Sequence, residues 1–198
     1  VLGSRGLGDV YKRQGKASHA GFAPQDGVHA IRIAATAIAE MAIGRIGDDT
    51  TVNVGQIEGG RASNIVPDYC EVSGELRSFS HKKALEELAK VEQIFAKEAE
   101  KCGSSIEFIR DICYQAYKTD ENESVVKEFQ KACAACGIKS SLIATFGGSD
   151  QNKMSEHGIP GIVMASAMHQ VHSCQEYTEV SEMAQVAGIV SELLQMKE

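Results

Sequence analysis

One stretch of alternating sequence constrains the fold of this chain more than any other. Between Asp68 and Phe79, small or apolar residues alternate with polar ones, and the former are Cys70, Val72, Gly74, Leu76 and Ser78. This period of two predicts a long strand with one face against a core and the other face polar. An apolar stripe at helical spacing then predicts a helix from Ser80 or His81 to about Cys102, with Ser80 as its N-cap.

Patterns on either side extend this pair into a domain. A helix is predicted from Gly27 to Ile43, and strands are predicted over 50–57 and 105–114. With one more strand ending near His19, the order becomes β-α-β-β-α-β, which is the ferredoxin-like arrangement. We therefore expect an antiparallel sheet with both helices on one face, within residues 15–117.

The organisation changes after a polar linker at 117–122. Helices are predicted over 124–136, over a short segment ending at His157 and over 179–196. The buried stripe of the last helix is predicted as Met183, Val186, Ile189, Val190 and Leu193. Strands are predicted over 141–146 and 161–165, the second being an apolar run typical of a buried parallel strand. Residues 118–198 thus predict part of an α/β sheet, and the fold class of the chain is α/β.

Residues 1–14 show the period of neither a strand nor a helix. They also lack the apolar core that follows the basic residues of a signal peptide. The well-patterned sequence begins abruptly at Gly15. Our hypothesis is that this leader is not native to the fold but a junction or read-through product. A complete gene from the same source that contains the segment in frame would contradict it.

Composition excludes several classes of protein. With 43% hydrophobic residues the chain can bury a sizeable core, and its net charge of −7 argues against a nucleic-acid surface. No apolar run approaches the length of about 20 residues that spans a bilayer, so we expect no membrane partner. The six cysteines are scattered, which favours reduced thiols and a cytoplasmic protein.

The loop Gly15–Pro24 carries one histidine, His19, between small residues with glycine and proline on both sides. Glycine permits unusual backbone angles and Pro24 prevents simple strand continuation, so this stretch is predicted to be a loop. A histidine exposed there can donate or accept a proton near neutral pH. Taken alone, it is equally described as a surface histidine in a turn.

Three further places carry candidate residues, and each has a structural alternative. Arg77, with Asn64 beside the same long strand, can bind a carboxylate through its planar fork or form a cross-strand ion pair with a glutamate. Gly148 and Ser149 precede a short helix, where they can approach a ligand or simply form an N-cap. His172 follows an apolar strand and can be a metal ligand, which Glu176 could orient, with His169 as a second candidate ligand.

Together these residues resemble a family of dizinc exopeptidases and amidohydrolases. Its members include peptidase T, carboxypeptidase G, aminoacylase and succinyl-diaminopimelate desuccinylase, and the likeness is greatest to the peptidase-T-like branch. The similar stretches run in the family's order and cover nearly the whole chain after Gln14: GKASHAGFAPQDGVHAI, TTVNVGQIEGGRASNIVPDYCEVSGELRS, FGGSDQN and HQVHSCQEYTEV. Four ordered matches are more specific than any one of them.

The resemblance implies a lid, or dimerisation, domain over residues 15–117 and the C-terminal part of a catalytic domain over 118–198. It implies a homodimer joined through the lids, and hydrolysis of peptide or acyl-amino-acid substrates by water activated on a pair of zinc ions. His19 then stabilises the oxyanion in the partner's active site, and His172 is a zinc ligand. Asn64, Arg77, Gly148 and Ser149 bind the substrate.

The family's other features are absent from these residues. Its His-x-Asp motif, bridging aspartate, Glu-Glu pair and further carboxylate precede the lid, so this chain carries a single metal ligand and no general base. We expect the isolated chain to be inactive. Two alternatives stay open: a non-enzymatic ferredoxin-like dimerisation or binding module, and a thiol redox protein with Cys133 and Cys136 exposed at a helix N-terminus.

Overall fold

The computed structural model describes residues 2–3 and 7–196, with side chains from Gly15 onward. Strands and helices follow the chain as β1 (Leu2–Gly3), β2 (Leu7–Gln14), β3 (Ser18–His19), α1 (Ala30–Glu40), β4 (Gly44–Ile46), β5 (Thr50–Gly59), β6 (Ile65–Val66), β7 (Tyr69–Ser78), α2 (His81–Lys101), β8 (Ser105–Ile112), β9 (Tyr117–Lys118), α3 (Ser124–Ala135), α4 (Asp150–Glu156), β10 (Met168–His169), β11 (Tyr177–Thr178) and α5 (Val180–Gln195). The chain divides into two compact units, residues 4–116 and residues 1–3 with 117–198.

The first unit is built on an antiparallel sheet of order β4-β5-β7-β2-β8. Helices α1 and α2 pack against each other and against β7. The predicted alternation of β7 is present, because Cys70, Val72, Leu76 and Ser78 are buried while the residues between them are half-buried. Without the short strands β3, β4 and β6, the order of strands and helices is the predicted ferredoxin-like one.

The core of this unit lies between the helices and the sheet. Its larger cluster joins Ala30, Ala34 and Ala37 of α1, Val91 and Phe95 of α2, and Cys70 and Val72 of β7. Small residues at helical spacing on α1 allow that helix to lie close to its neighbours. Ser80 is the N-cap of α2, as predicted, and its hydroxyl accepts the N–H of Lys83 at 3.4 Å.

The first strand of the sheet differs from the prediction. The strand expected near His19 ends at Gln14, and residues 7–14 form β2 between β7 and β8. The sequence showed no strand period over residues 1–14, yet residues 7–14 form a paired strand. The strand forms because its backbone pairs with a neighbour on both sides, and such pairing needs no alternation of side chains. The register places positions 9 and 13 on the face shared with Gly74 and Cys70, and whether the leader is native to the fold stays a hypothesis.

The second unit has a helical core. Helices α3 and α5 pack together through Ala132, Cys133 and Ile189. Its strands form two short antiparallel pairs, β1 with β9 and β10 with β11. Among the residues that the structure describes, no helix is long and apolar enough to cross a membrane.

Two predictions for this unit are wrong. Neither 141–146 nor 161–165 is a strand, apart from an isolated bridge residue at Thr145. A strand exists only with a hydrogen-bonded neighbour, and the paired strands of this unit lie elsewhere. The predicted buried stripe of α5 is also only partly correct, because Ile189 is buried whereas Met183 and Val190 are 52% and 40% exposed.

Candidate functional site

His19 lies on β3, which pairs with β6 so that His19 is opposite Ile65. One residue further on, the N–H of Ala20 donates to the carbonyl oxygen of Asn64 at 3.0 Å. The loop that carries His19 and the loop that carries Asn64 are therefore held together by backbone hydrogen bonds. Both residues are exposed. Sequence reasoning placed both in one site, and the structure brings these two together.

The imidazole of His19 is held by its own loop. Its Nδ1 accepts the backbone N–H of Gly21 at 3.1 Å and that of Phe22 at 3.2 Å. The Phe22 ring packs against it with 4.3 Å between ring centroids and 38° between planes. Phe22 is 85% exposed, and the sequence analysis did not select it. The signal that could have found it is an apolar aromatic in an otherwise small and polar loop.

Arg77 lies on the face of β7 that the helices do not cover. Its Nε and Nη2 donate to the two carboxylate oxygens of Glu75 at 3.0 and 2.9 Å. This bidentate pair is the ion-pair alternative for Arg77, formed with a glutamate of its own strand rather than across strands. A substrate carboxylate at Arg77 has to share the guanidinium with Glu75.

The Gly148–Ser149 segment leads into α4, and Ser149 is the N-cap residue of that helix. The N–H of Ser149 donates at 3.0 Å to Oδ1 of Asn152, whose side chain is fully buried. The capping role considered for Ser149 is therefore present. Contact between this loop and a substrate stays a prediction.

His172 lies at the tip of the β10–β11 hairpin, in a turn with unusual backbone geometry. The φ angles of Ala167, Gln170 and His172 are 61°, 51° and 64°, in the left-handed region that residues other than glycine rarely adopt. Such strain of about 1–3 kcal/mol per residue tends to occur at functional sites. The imidazole of His172 is exposed at this tip.

Glu176 has a different role from the one expected. Its Oε2 accepts the backbone N–H of His172 at 2.7 Å, so it fixes the turn rather than the second imidazole nitrogen. The spacing of four residues between the two was visible in the sequence, but the backbone bond was not.

His169 contacts side chains of β11 and α5 rather than the tip of the hairpin. Its Nε2 lies 2.6 Å from Oε2 of Glu182, and its ring stacks on Tyr177 at 4.8 Å. Within residues 15–196, no three His, Cys, Asp or Glu side chains are grouped as a metal site. The donor set of the described residues does not by itself fit a metal ion, and His172 supplies at most one ligand.

Cys133 does not fit the redox alternative. It lies near the end of α3 rather than at a helix N-terminus, and it is 1% exposed. Burial raises the pKa of the Cys133 thiol, and the neighbouring Cys136 raises it further. A reactive redox cysteine needs a lowered pKa and access to solvent, so this pair is structural.

Comparison with known proteins defines the class. Residues 8–102 match the model of the M20 peptidase dimerisation domain family. Residues 8–102 belong to this dimerisation-domain family, and the similarities of the chain as a whole are to the dizinc peptidases of the peptidase-T-like branch. The match includes most of β2.

Individual relatives agree with this assignment. The chain is 35% identical over 181 residues to the protein YqjE of Bacillus subtilis, covering 91% of this chain and 49% of YqjE. The structure of aminopeptidase PepT from Bacillus cereus superposes with a TM-score of 0.85 at 34% identity, over 98% of this chain and 52% of PepT. A tripeptidase of Staphylococcus aureus gives 0.90 at 30% identity, over 99% and 52%. The chain thus spans about half the length of these relatives.

A more distant protein shares the fold. The YxeP protein of Bacillus subtilis is a dinuclear metal-binding peptidase of the M20 family. It shares the fold with a TM-score of 0.66 at 17% identity, over 95% of this chain and 49% of YxeP. At this identity the likeness concerns the fold alone.

Proposed function

We propose that this chain provides the lid and the C-terminal part of the catalytic domain of a zinc-dependent aminopeptidase that hydrolyses small peptides. The observation that carries the proposal is the likeness to PepT and to the tripeptidase, at 34% and 30% identity over 98% and 99% of the chain. Both matches run through the dimerisation domain and the C-terminal unit alike. Acyl-amino-acid amides are the second substrate class of this proposal.

The residues have distinct roles in it. His19 donates a hydrogen bond to the oxyanion that forms at the scissile carbonyl. Asn64 and Arg77 hold the polar or carboxylate end of the substrate, and Gly148 with Ser149 contacts its backbone. His172 would be one ligand of a zinc pair completed by residues outside this chain's described donor set, and the pair would supply activation of water and polarisation of the carbonyl.

The position of His19 on the lid supports action in trans. In this proposal two copies of the chain form a homodimer through their lids, and each His19 serves the neighbouring site. The chain alone, with His172 as its single predicted ligand, has no activity and is a fragment of the working enzyme. None of the six cysteines, all of which lie among the described residues, forms a disulfide, which agrees with the proposed cytoplasmic location.

A chimera tests the function directly. The matching half of Bacillus cereus PepT is replaced with residues 7–196 of this chain, so that β2 is kept, and zinc-dependent hydrolysis of a tripeptide is measured. We expect activity in the chimera, none in the isolated chain, and complete loss with His172→Ala. His19→Ala should lower kcat by about 10²–10³, the usual effect of removing one oxyanion donor. His157→Ala, an exposed histidine at the end of α4, is the matched control.

The alternative is a non-enzymatic dimerisation module. The observation that favours it is that the first unit has a hydrophobic core of its own. A folded, dimeric chimera that hydrolyses nothing and retains its zinc content in His172→Ala would support this alternative. Tripeptide hydrolysis by the purified isolated chain would contradict the fragment part of the proposal.

A further inference from the structure

Among the described residues, the His19 ring is hydrogen-bonded on one edge only. Both hydrogen bonds to it, from Gly21 and Phe22, end on Nδ1 and come from backbone N–H groups. Because both partners are donors, Nδ1 must be the acceptor. A neutral imidazole has one acceptor nitrogen and one N–H, so its proton is on Nε2. The loop leaves that Nε2–H edge as the donor.

Phe22 contributes twice to this arrangement. Its backbone N–H is one of the two donors to Nδ1, and its side chain covers a face of the imidazole at 4.3 Å. At 85% exposure its ring is not part of a core. A phenylalanine stabilises a core by being buried, and little of this side chain is buried, so core packing does not explain an aromatic residue at this position.

The backbone around the ring is fixed on both sides. Before it, β3 pairs with β6, and after it the N–H of Ala23 donates to the carbonyl oxygen of His19 at 3.0 Å. Gly21 has no special backbone requirement among the described angles, and a Cβ there would lie 3.5 Å from Cε1 of His19, an ordinary contact. The two hydrogen bonds to Nδ1 therefore come from backbone amides and do not require a glycine at position 21.

We infer that Phe22 is a positioning residue that, with the Gly21 amide, holds neutral His19 in the Nε2–H tautomer and directs that N–H outward. The catalytic use of this Nε2–H rests on the proposed function, in which a developing oxyanion requires an N–H donor. A neutral ring with its proton on Nδ1 would present a lone pair to the oxyanion and repel it.

The experiment is tautomer measurement by two-bond ¹H–¹⁵N NMR on the ¹⁵N-labelled chain at about pH 8, above the usual range of histidine ionisation. His19→Gln assigns the signal by its disappearance. We expect a protonated Nε2 and an unprotonated Nδ1. A protonated Nδ1, or two averaged nitrogen shifts, would overturn the inference in the unmodified chain, without any variant.

Three variants separate the contributions. Phe22→Pro removes one donor and should move the two nitrogen shifts toward each other. Gly21→Ala keeps its amide and should leave them unchanged. Phe22→Ala should keep the tautomer, but loss of the ring contact should speed hydrogen exchange of the amides at positions 21 and 22 severalfold. Unchanged exchange would show that the Phe22 side chain does not help to position His19. If the tautomer holds while His19→Ala leaves the active chimera unaffected, the proposed function of His19 fails and the positioning stands.

Discussion

Glu176 and His172 are joined by a hydrogen bond in which Oε2 of Glu176 accepts the backbone N–H of His172 at 2.7 Å. The bond spans a turn in which His172 has a φ of 64°. A left-handed conformation costs roughly 1–2 kcal/mol for a residue other than glycine, so a partner for its N–H helps to keep the turn in this form. The same relationship defines where the His172 imidazole is presented.

The first prediction concerns this bond. Glu176→Ala should expose the His172 amide and speed its hydrogen exchange about tenfold, the equivalent of about 1.4 kcal/mol. Glu176→Gln keeps an acceptor oxygen and should restore most of the protection. Exchange is followed by NMR at constant pH, and Glu179→Ala, at the start of α5 just beyond this hairpin, is the control. Equal exchange in the alanine variant and the wild type would show that the bond does not hold the turn.

The second prediction concerns the strand that carries His19. A Cβ at Gly27 would lie 2.4 Å from Oγ of Ser18 and 2.8 Å from Cγ1 of Val66. Gly27→Ala should therefore push β3 from β6 and lower the free energy of unfolding by about 1–3 kcal/mol. Urea unfolding measures this, with Gly21→Ala as the control. An unchanged midpoint for Gly27→Ala would mean that the loop absorbs the methyl group.

The third prediction compares two leucines of α2. Leu88 is 1% exposed and packs with Val52, Leu76 and Ala84, whereas Leu85 is 37% exposed. Leu88→Ala should lower the free energy of unfolding by about 2–5 kcal/mol, and Leu85→Ala by about 1 kcal/mol or less. Chemical denaturation of both variants checks the difference. Similar losses in the two would contradict the orientation of the helix.

The fourth prediction is a pH dependence of stability. The hydrogen bond from Lys101 lowers the pKa of Glu98, whose side chain is nearly buried. Because the folded pKa lies below the unfolded one, this contribution is complete above the unfolded pKa and is lost as pH falls through the folded pKa. Unfolding midpoints measured from pH 7 to about pH 3 should therefore fall less steeply in Glu98→Gln than in the wild type. Glu100→Gln, exposed on the same helix, should keep the wild-type slope.

The fifth prediction concerns the cysteines. Cys102 and Cys174 are exposed, whereas Cys70 and Cys133 are buried. Since burial also raises the pKa of Cys133, iodoacetamide should alkylate Cys102 and Cys174 first and spare Cys70 and Cys133 until the chain unfolds. Mass spectrometry of digests identifies the labelled thiols. Rapid labelling of Cys133, or its oxidation to a disulfide with Cys136, would return the pair to redox chemistry.

The sequence predicted those elements whose neighbours supply both pairing and burial. The alternation of β7 and the stripe of α2 follow directly from packing one face of each against the other, so pattern and structure agree at Val72, Leu76 and Leu88. The bounds of α2 agree to within a residue at either end, because Ser80 caps it and Gly103, with φ 62°, follows it.

The failures share a physical cause. At 161–165 the apolar pattern predicts a buried strand, yet Val163 is 46% exposed because no neighbouring strand pairs with it. At 7–14 pairing is present without any pattern. Phe22 was missed and the role of Glu176 was predicted wrongly, because each contact involves a backbone N–H, which leaves no trace in residue type.

The place of β2 between β7 and β8 has a consequence for handling the protein. A chain shortened to start at Gly15 would lose hydrogen-bond partners along both neighbours and leave β7 as an open edge and β8 without its partner strand. Open edges recruit any extended segment within reach, including the same segment of another copy. Removing residues 1–14, the part of the sequence with the weakest pattern, would therefore yield an aggregation-prone protein rather than a better-behaved domain.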